Sequence, residues 1–165
     1  MPAADHPWIE YARAQMHVRE VKGPKHAAEI VQYWRDIRRG GIKDDETPWC
    51  AAFVGACLER VGIVSTRFEG ARSYTDWGQK LDKPAVGCVV VLNKLHTDQV
   101  QHVAFVVGQD AVGNLLCLGG NQADAVNVAA FARSQGRAYR WPPGHPLPAL
   151  GLPVMAAAAF AKSVA

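Results

Sequence analysis

Apolar residues in the first third of the chain recur at three- and four-residue steps, the spacing of helices with one buried face. Trp8, Ala12 and Met16 predict a first helix, and Gly23-Pro24 breaks the chain after it. Residues 27–37 predict a second helix, because their apolar side chains fall on one face and their charged side chains on the other. Two amphipathic helices are therefore expected at the start of the chain.

A third helix is predicted to begin at Thr47-Pro48-Trp49-Cys50. Thr47 suits the N-cap, because its hydroxyl can accept a hydrogen bond from a free first-turn N–H, and Pro48 suits the first helical position. Gly62 can end the helix. Cys50 then lies in the first turn, where the positive end of the helix dipole favours a thiolate. The apolar positions at helical spacing are Cys50, Phe53, Val54, Cys57, Leu58 and Val61.

From Gly87 onward the pattern changes from helical to strand-like. Residues 88–92 form a continuous apolar run rich in β-branched side chains, which is typical of a strand covered on both faces. Four further strands are predicted at residues 102–107, 115–118, 126–131 and 138–141. Helices followed by strands predict an α+β fold, in which the N-terminal helices pack on an antiparallel sheet of about five strands.

The two remaining stretches have weaker patterns. Residues 65–84 are irregular, apart from a short helical turn favoured within residues 71–78. After residue 142 the chain is rich in proline, and residues 153–165 are rich in alanine, which fits either a docking helix or a frayed end. We expect one domain over residues 1–142 and a Pro- and Ala-rich tail over residues 143–165.

Length and charge limit the classes of function. The 165 residues suffice for one hydrophobic core and are too few for two ordinary domains. The net charge of +3 is small and scattered, so we expect no nucleic-acid partner, although a mildly basic protein suits an anionic polymer such as a cell wall. No apolar stretch is long enough to span a membrane, and residues 1–16 carry charges where a secretory signal needs an apolar core.

The four cysteines are Cys50, Cys57, Cys88 and Cys117, and no two of them form a C-x-x-C pair, so a structural zinc site is not expected. All but Cys50 lie well inside strongly apolar segments, which favours reduced thiols in a protein made in the cytoplasm. Cys50 has two interpretations. It is either a nucleophile at a helix N-terminus or a small core residue on an apolar face.

A nucleophilic cysteine needs a base, and the chain has six histidines. Three lie among the N-terminal helices, His96 lies in a polar loop, and His145 lies in the proline-rich tail. His102 alone begins a predicted strand. It is therefore the candidate base, with an ordinary strand-end histidine as the alternative.

The hairpin after His102 predicts a partner for it. If residues 110–113 form a four-residue loop, Gln109 pairs with Asn114, and the same register places His102 opposite Asn121. Directly opposed residues point to the same face, with Cβ atoms about 5 Å apart. An amide oxygen at that position can accept a hydrogen bond from the imidazole and fix its tautomer, which is the third role in a catalytic triad.

Four motifs, in this order, resemble the NlpC/P60–CHAP superfamily of cysteine peptidases and amidases. The similarity covers residues 8–142 and is greatest to small phage-associated cell-wall hydrolases. The motifs are Thr47-Pro48-Trp49-Cys50-Ala51-Ala52-Phe53-Val54, then Ala71-Arg72-Ser73 with Trp77-Gly78, Pro84 and Gly87, then His102-Val103-Ala104-Phe105-Val106-Val107-Gly108, and finally Gly119-Gly120-Asn121-Gln122.

The resemblance implies a papain-like fold and one catalytic domain that cleaves amide bonds of peptidoglycan without a metal or other cofactor. The family's nucleophile falls on Cys50, its base on His102 and its polar third residue on Asn121. Many relatives carry an acidic residue at the position of Gly119, so a four-membered site is not expected here. The Cys50 backbone N–H is the expected oxyanion donor, and no second donor stands out near it.

Four further residues are candidates for binding the substrate: Trp49, Ser73, Trp77 and Gln122. The flat faces of the two tryptophans suit sugars and peptide stems, although buried core positions account for them equally well. Ser73 and Gln122 offer polar groups.

We expect a monomeric peptidoglycan hydrolase, most simply a phage or prophage endolysin that is made without a signal peptide and acts on the wall after release. One alternative is an interbacterial amidase toxin with an immunity protein as its partner. Another is a non-catalytic wall-binding module of the same fold. A metal-dependent hydrolase using His96 and His102 is disfavoured, because their spacing matches no common ligand pattern.

Overall fold

The structure is a computed structural model that describes residues 6–23, 25–149 and 151–162. The described residues form four helices and one antiparallel sheet of six strands, an α+β arrangement as predicted. The helices are α1 (Pro7–Ala14), α2 (Ala28–Asp36), α3 (Cys50–Glu59) and α4 (Ala157–Lys162). The first three fall where the apolar spacing predicts them, within a few residues at each end.

The strands are β1 (Gln79–Leu81), β2 (Val89–Asn93), β3 (Val100–Gln109), β4 (Leu115–Gln122), β5 (Ala125–Phe131) and β6 (Gly136–Trp141), in the spatial order β1-β6-β2-β3-β4-β5. The five predicted strands are confirmed. Strand β1 is additional: it is short and largely exposed, so it carries no apolar alternation from which to predict it.

Helix α3 is the central element of the core. Each of its residues from Cys50 to Leu58 is buried, and the helix packs against α2 on one side and against β3 and β4 on the other. A helix that is apolar all round can be stable only when neighbours cover every face. This burial places Cys50 between the helical layer and the sheet.

The predicted start of α3 is wrong by two residues. Trp49 is the N-cap, because its carbonyl accepts from the Phe53 N–H, and Cys50 is the first helical residue. Thr47 instead donates to Asp44 from both its N–H (2.7 Å) and its hydroxyl (3.2 Å). The end is as expected, since Gly62 has a φ of +84° and the next N–H bonds back to the Leu58 carbonyl at 3.0 Å.

The loop before α3 is held by the buried carboxylate of Asp45. Its Oδ2 accepts from the N–H groups of Val21 (2.6 Å) and Ala27 (2.9 Å), while Oδ1 is 2.9 Å from Nδ1 of His26. Burial alone would raise the pKa of Asp45, but these hydrogen bonds together hold it below its ordinary value. Asp45 thus connects the segment between α1 and α2 to the loop that leads to Cys50.

The C-terminal segment is joined to the sheet by backbone hydrogen bonds. Gln109 N–H donates to the Pro153 carbonyl and the Met155 N–H donates to the Gln109 carbonyl, both at 2.9 Å. Phe160 in α4 is buried, and the Arg13 guanidinium lies 3.9 Å from its ring centre. A helix therefore does form in the alanine-rich stretch, and it docks against the body of the domain.

No helix in the described part of the chain combines the length and the apolar character of a membrane span.

Candidate active site

Cys50 and His102 line the same cavity, which has a volume of about 810 Å³. The cavity lies between the N-terminus of α3, the start of β3, the turn after β4 and the length of β5. Its other lining residues are Pro48, Gln101, Asn121, Gln122, Ala123, Asn127, Val128, Ala129, Ala130 and Phe131. The structure thus brings together the predicted nucleophile, the predicted base and both polar residues of the last motif.

Cys50 is 7% exposed and occupies the first position of α3. Burial raises the pKa of its thiol, and backbone N–H groups, first that of Val103 and then those of Ala51 and Cys50 itself, lower it in part. The expectation of a depressed pKa is therefore wrong for the protein without substrate. Desolvation outweighs the helix terminus, because an almost fully enclosed thiolate loses most of its hydration.

His102 is 8% exposed, and its ring stacks on that of Phe131 with centroids 5.5 Å apart. Burial lowers the pKa of His102, and its hydrogen bond to Gln122 opposes that shift. Both shifts favour the neutral forms of the thiol and the imidazole at pH 7. Within the described ranges no hydrogen bond joins Cys50 Sγ to the ring, a geometry common in active sites without substrate.

Gln122 is the side chain bonded to His102, with Nε2 of the ring 2.9 Å from Oε1 of the amide. The amide orientation is fixed by backbone carbonyls, since Gln122 Nε2 donates to Cys117 O (3.2 Å) and to Asn127 O (2.8 Å). Only the oxygen is left to face the imidazole, so the ring nitrogen Nε2 must carry the proton. The lone pair of the imidazole is then on Nδ1.

Asn127 holds Gln122 in place from the neighbouring strand. Its Nδ2 donates to the Gln122 backbone carbonyl at 2.8 Å, and its Oδ1 accepts from Gln122 Nε2 at 2.9 Å. Sequence reasoning missed Asn127, because nothing in β5 distinguishes it from other polar strand residues. It also missed Phe131, which the spacing assigns only to a strand.

Asn121 does not take the orienting role predicted for it. It has a φ of +58° and lies where the β4–β5 pairing is irregular, between Gly119 and Gln122. A left-handed residue interrupts the alternation of faces along a strand, so Gln122 takes the position next to the imidazole. Among the described residues, the Asn121 side chain has no hydrogen-bond partner, and it lines the cavity.

The register of the β3–β4 hairpin differs from the prediction next to the turn and agrees with it farther along the strands. Near the turn Gln109 pairs with Leu115 instead of Asn114, but a bulge after Val106 restores the expected pairs, including Phe105 with Leu118. The one-residue difference at the turn is therefore corrected by the bulge and does not reach the part of β3 that carries His102. The departure that matters for His102 comes later, at Asn121.

Gly119 leaves a space beside β4 that the Gln122 side chain fills. A Cβ placed on Gly119 would collide with Oε1 of Gln122 and would lie 3.0 Å from the Cβ of Ala104. The Gln122 amide therefore occupies the space into which a side chain at position 119 would project. Glycine at 119 and glutamine at 122 are complementary in this site.

The other three residues predicted to bind substrate do not line the cavity. Trp49 is fully buried and donates from Nε1 to Glu20 at 2.7 Å. Trp77 is half-buried, packs on Tyr74 and donates to the Val64 carbonyl at 3.2 Å. The Ser73 hydroxyl is 2.7 Å from both the Thr66 hydroxyl and the Gly70 carbonyl.

Within the described ranges no group of three or more His, Cys, Asp or Glu side chains is arranged to hold a metal ion. His96 is exposed in the loop between β2 and β3, at a φ of +64°. All four cysteines are free thiols.

No family model matches the chain, and no curated protein matches it.

Proposed function

We propose that this protein is a cysteine amidase with a papain-like arrangement of Cys50, His102 and Gln122, which cleaves amide bonds of peptidoglycan. One observation supports it above all others. The imidazole that shares a cavity with Cys50 is held in a single tautomer by the backbone-anchored amide of Gln122. A helix that bears the cysteine, packed on an antiparallel sheet that bears the histidine, is the arrangement that gives papain-like enzymes their chemistry.

The first half of the reaction forms a thioester. His102 accepts the thiol proton of Cys50 at Nδ1 as the sulfur attacks the carbonyl carbon of the scissile amide. The imidazolium that forms is stabilised by the Gln122 oxygen at Nε2. His102 then transfers the proton to the amide nitrogen, the C–N bond breaks and the amine leaves.

The second half returns the enzyme to its starting state. A water molecule loses a proton to His102 Nδ1 and attacks the thioester carbonyl, the C–S bond breaks, and the proton returns to the sulfur. The N–H groups at the start of α3, beginning with that of Cys50, have no carbonyl partner within the helix and can donate to the substrate carbonyl oxygen as it gains negative charge. The side chain of Asn121 faces the same cavity and can contact the bound substrate.

We propose peptidoglycan as the substrate because of the sequence resemblance: the four motifs are similar to those of small phage-associated wall hydrolases. The mild positive charge suits an anionic wall polymer. The setting we propose is the lysis of a bacterial wall after release from the cell in which the protein is made.

Mass spectrometry of soluble products from purified peptidoglycan tests the proposal. We expect peptide-containing fragments that carry a new amine and a new carboxylate, formed by the native protein and not by Cys50→Ala. A chelator should leave the product yield unchanged. Products with cleaved glycosidic bonds and intact amides would contradict the proposed class.

A further inference from the structure

The outer edge of β5 is a boundary of the candidate active site. Strand β5 is the last strand of the sheet, so one side of its backbone pairs with β4 and the other side faces away from the sheet. Five consecutive residues, 127–131, line the cavity. Because successive side chains point to opposite faces, a cavity lined by five in a row runs along the edge of the strand rather than over one face.

The direction of each backbone group of β5 follows from the bonds at its start. The Val126 N–H donates outward to the Val18 carbonyl at 3.0 Å, and the Asp124 carbonyl accepts outward from the Glu20 N–H at 2.8 Å. Alternate residues of a strand present their N–H and C=O groups to the same side. Val128 and Ala130 therefore present theirs to the outer edge, in line with Val126.

Among the described residues, backbone hydrogen bonds to this edge are made at its first part alone. Residues 18–20 pair with it through a short antiparallel bridge between Arg19 and Ala125. Beyond that point, no described residue bonds to the outward N–H or C=O groups of Val128 and Ala130. Val128 is half-buried and Ala130 is exposed, so an extended chain can reach both.

We infer that the substrate binds as an extended peptide that pairs with the outer edge of β5 at Val128 and Ala130. The protein's own residues 18–20 already use the same edge in this way, and the cavity leads from these two residues to Cys50. Backbone pairing requires two or three residues of peptide and reads no side chain at those positions, so it suits a peptide stem or a cross-bridge. This inference rests on the proposed function, since it assigns the peptide part of the substrate to one wall of the same cavity.

Amide hydrogen exchange, measured by NMR for each residue of the free protein, tests whether the outward N–H groups of β5 lack hydrogen-bond partners. In the free protein the amides of Val128 and Ala130 should exchange fast, and that of Val126 should be protected by its bond to Val18. Protection of all three amides in the free protein would mean that the edge is already closed and would overturn the inference.

The second measurement adds soluble muropeptides with intact peptide stems to Cys50→Ala, which is expected to bind them without cleavage. Slower exchange at Val128 and Ala130 is the expected result. Resonance shifts at Asn121 with exchange at these two amides unchanged would overturn edge pairing and leave the proposed function standing. No shift at either place would contradict both the peptide site and peptidoglycan as the substrate.

Ala130→Pro removes one outward N–H while leaving the β4 ladder intact, and proline is tolerated at such edge positions. We expect KM for muropeptides to rise about tenfold, the effect of one lost hydrogen bond, with kcat changed much less. Thermal unfolding and the rate of Cys50 alkylation by iodoacetamide should stay at their native values. An unchanged KM in a folded variant would overturn the inference.

Discussion

Nε2 of His102 lies 2.9 Å from Oε1 of Gln122, and both side chains are buried. The amide NH2 of Gln122 is bonded to the backbone carbonyls of Cys117 and Asn127, so the amide cannot present its nitrogen to the ring. The imidazole is consequently held with its proton on Nε2 and its lone pair on Nδ1. This tautomer can accept a proton from a thiol on its other side.

Gln122→Ala should lower kcat more than Asn121→Ala does. The first change removes the hydrogen bond that fixes the imidazole, worth about a tenfold to hundredfold loss, whereas the second removes only a group facing the substrate. His102→Ala should cost more than either, on the order of 10²- to 10⁴-fold, because it removes the proton carrier. Steady-state kinetics on soluble muropeptides give the order. A larger loss of kcat in Asn121→Ala would return the orienting role to Asn121.

The conservative change Gln122→Glu shows whether Gln122 acts on the His102 imidazole or only fills space in the fold. A carboxylate beside Nε2 stabilises the imidazolium and raises the pKa of His102 above the lowered value that burial imposes. The base is then protonated at higher pH, so the acid limb of kcat/KM should move upward in pH. A role limited to packing would leave this limb in place.

Cys50 should be alkylated slowly at pH 6, and the rate should rise with pH beyond the ordinary thiol range. The reason is that burial raises the pKa of Cys50, so the free protein holds less thiolate than an exposed cysteine would. Burial raises the pKa of Cys88 to about 12 and that of Cys57 well above its ordinary value, so both should stay unlabelled. Iodoacetamide labelling followed by peptide mapping gives the rates. Fast labelling of Cys50 at pH 6 with no further rise would indicate a thiolate–imidazolium pair instead.

Gly119→Ala should reduce kcat while leaving the protein folded. The added methyl group would collide with Gln122 Oε1, so the glutamine side chain must move away from His102. Gly41→Ala is the matched control, because a Cβ there meets no atom within 4 Å. Activity and thermal unfolding are measured for both. Full activity in Gly119→Ala would mean that the contact between Gln122 and His102 is dispensable.

Asp45→Asn should lower the free energy of unfolding at pH 7 by about 2 kcal/mol, because it weakens buried hydrogen bonds to an ionised acceptor. The pKa of Asp45 is lowered by folding, so its contribution is present above the ordinary value near 3.9 and is lost as pH falls through the folded value. Urea unfolding as a function of pH measures both effects. Asp98→Asn, on an exposed loop, is the control. Equal losses in the two variants would contradict this role for Asp45.

Most helices and strands can be predicted because a buried face requires apolar residues at regular spacing along the sequence. The helical face of α2 and the continuous apolar run of β2 are visible as spacing alone. Strand β1 cannot be predicted from spacing, since it has three residues at a sheet edge, two exposed and one half-buried. The cap of α3 was misplaced because the Thr47 hydroxyl bonds backward to Asp44, a choice between two local partners that depends on the path of the loop.

The sequence predicts which side chains share the candidate site as far as the alternation of faces along the strands holds. Cys50 and His102 can be placed at one cavity because the first begins α3 and the second lies near the start of β3. Gln122, and not Asn121, faces His102, because the left-handed backbone of Asn121 changes which side chain points to the histidine. Asparagine tolerates this conformation but does not require it, so sequence alone could not assign the bulge.

The release of free amino groups from purified peptidoglycan, compared between the native protein and a folded Cys50→Ala variant, shows whether Cys50 is the nucleophile of an amidase. We expect steady release by the native protein, in the presence or absence of a chelator, and no release above background by the variant. Equal release by both proteins would show that Cys50 is a core residue and that the amide bond is cleaved by other groups.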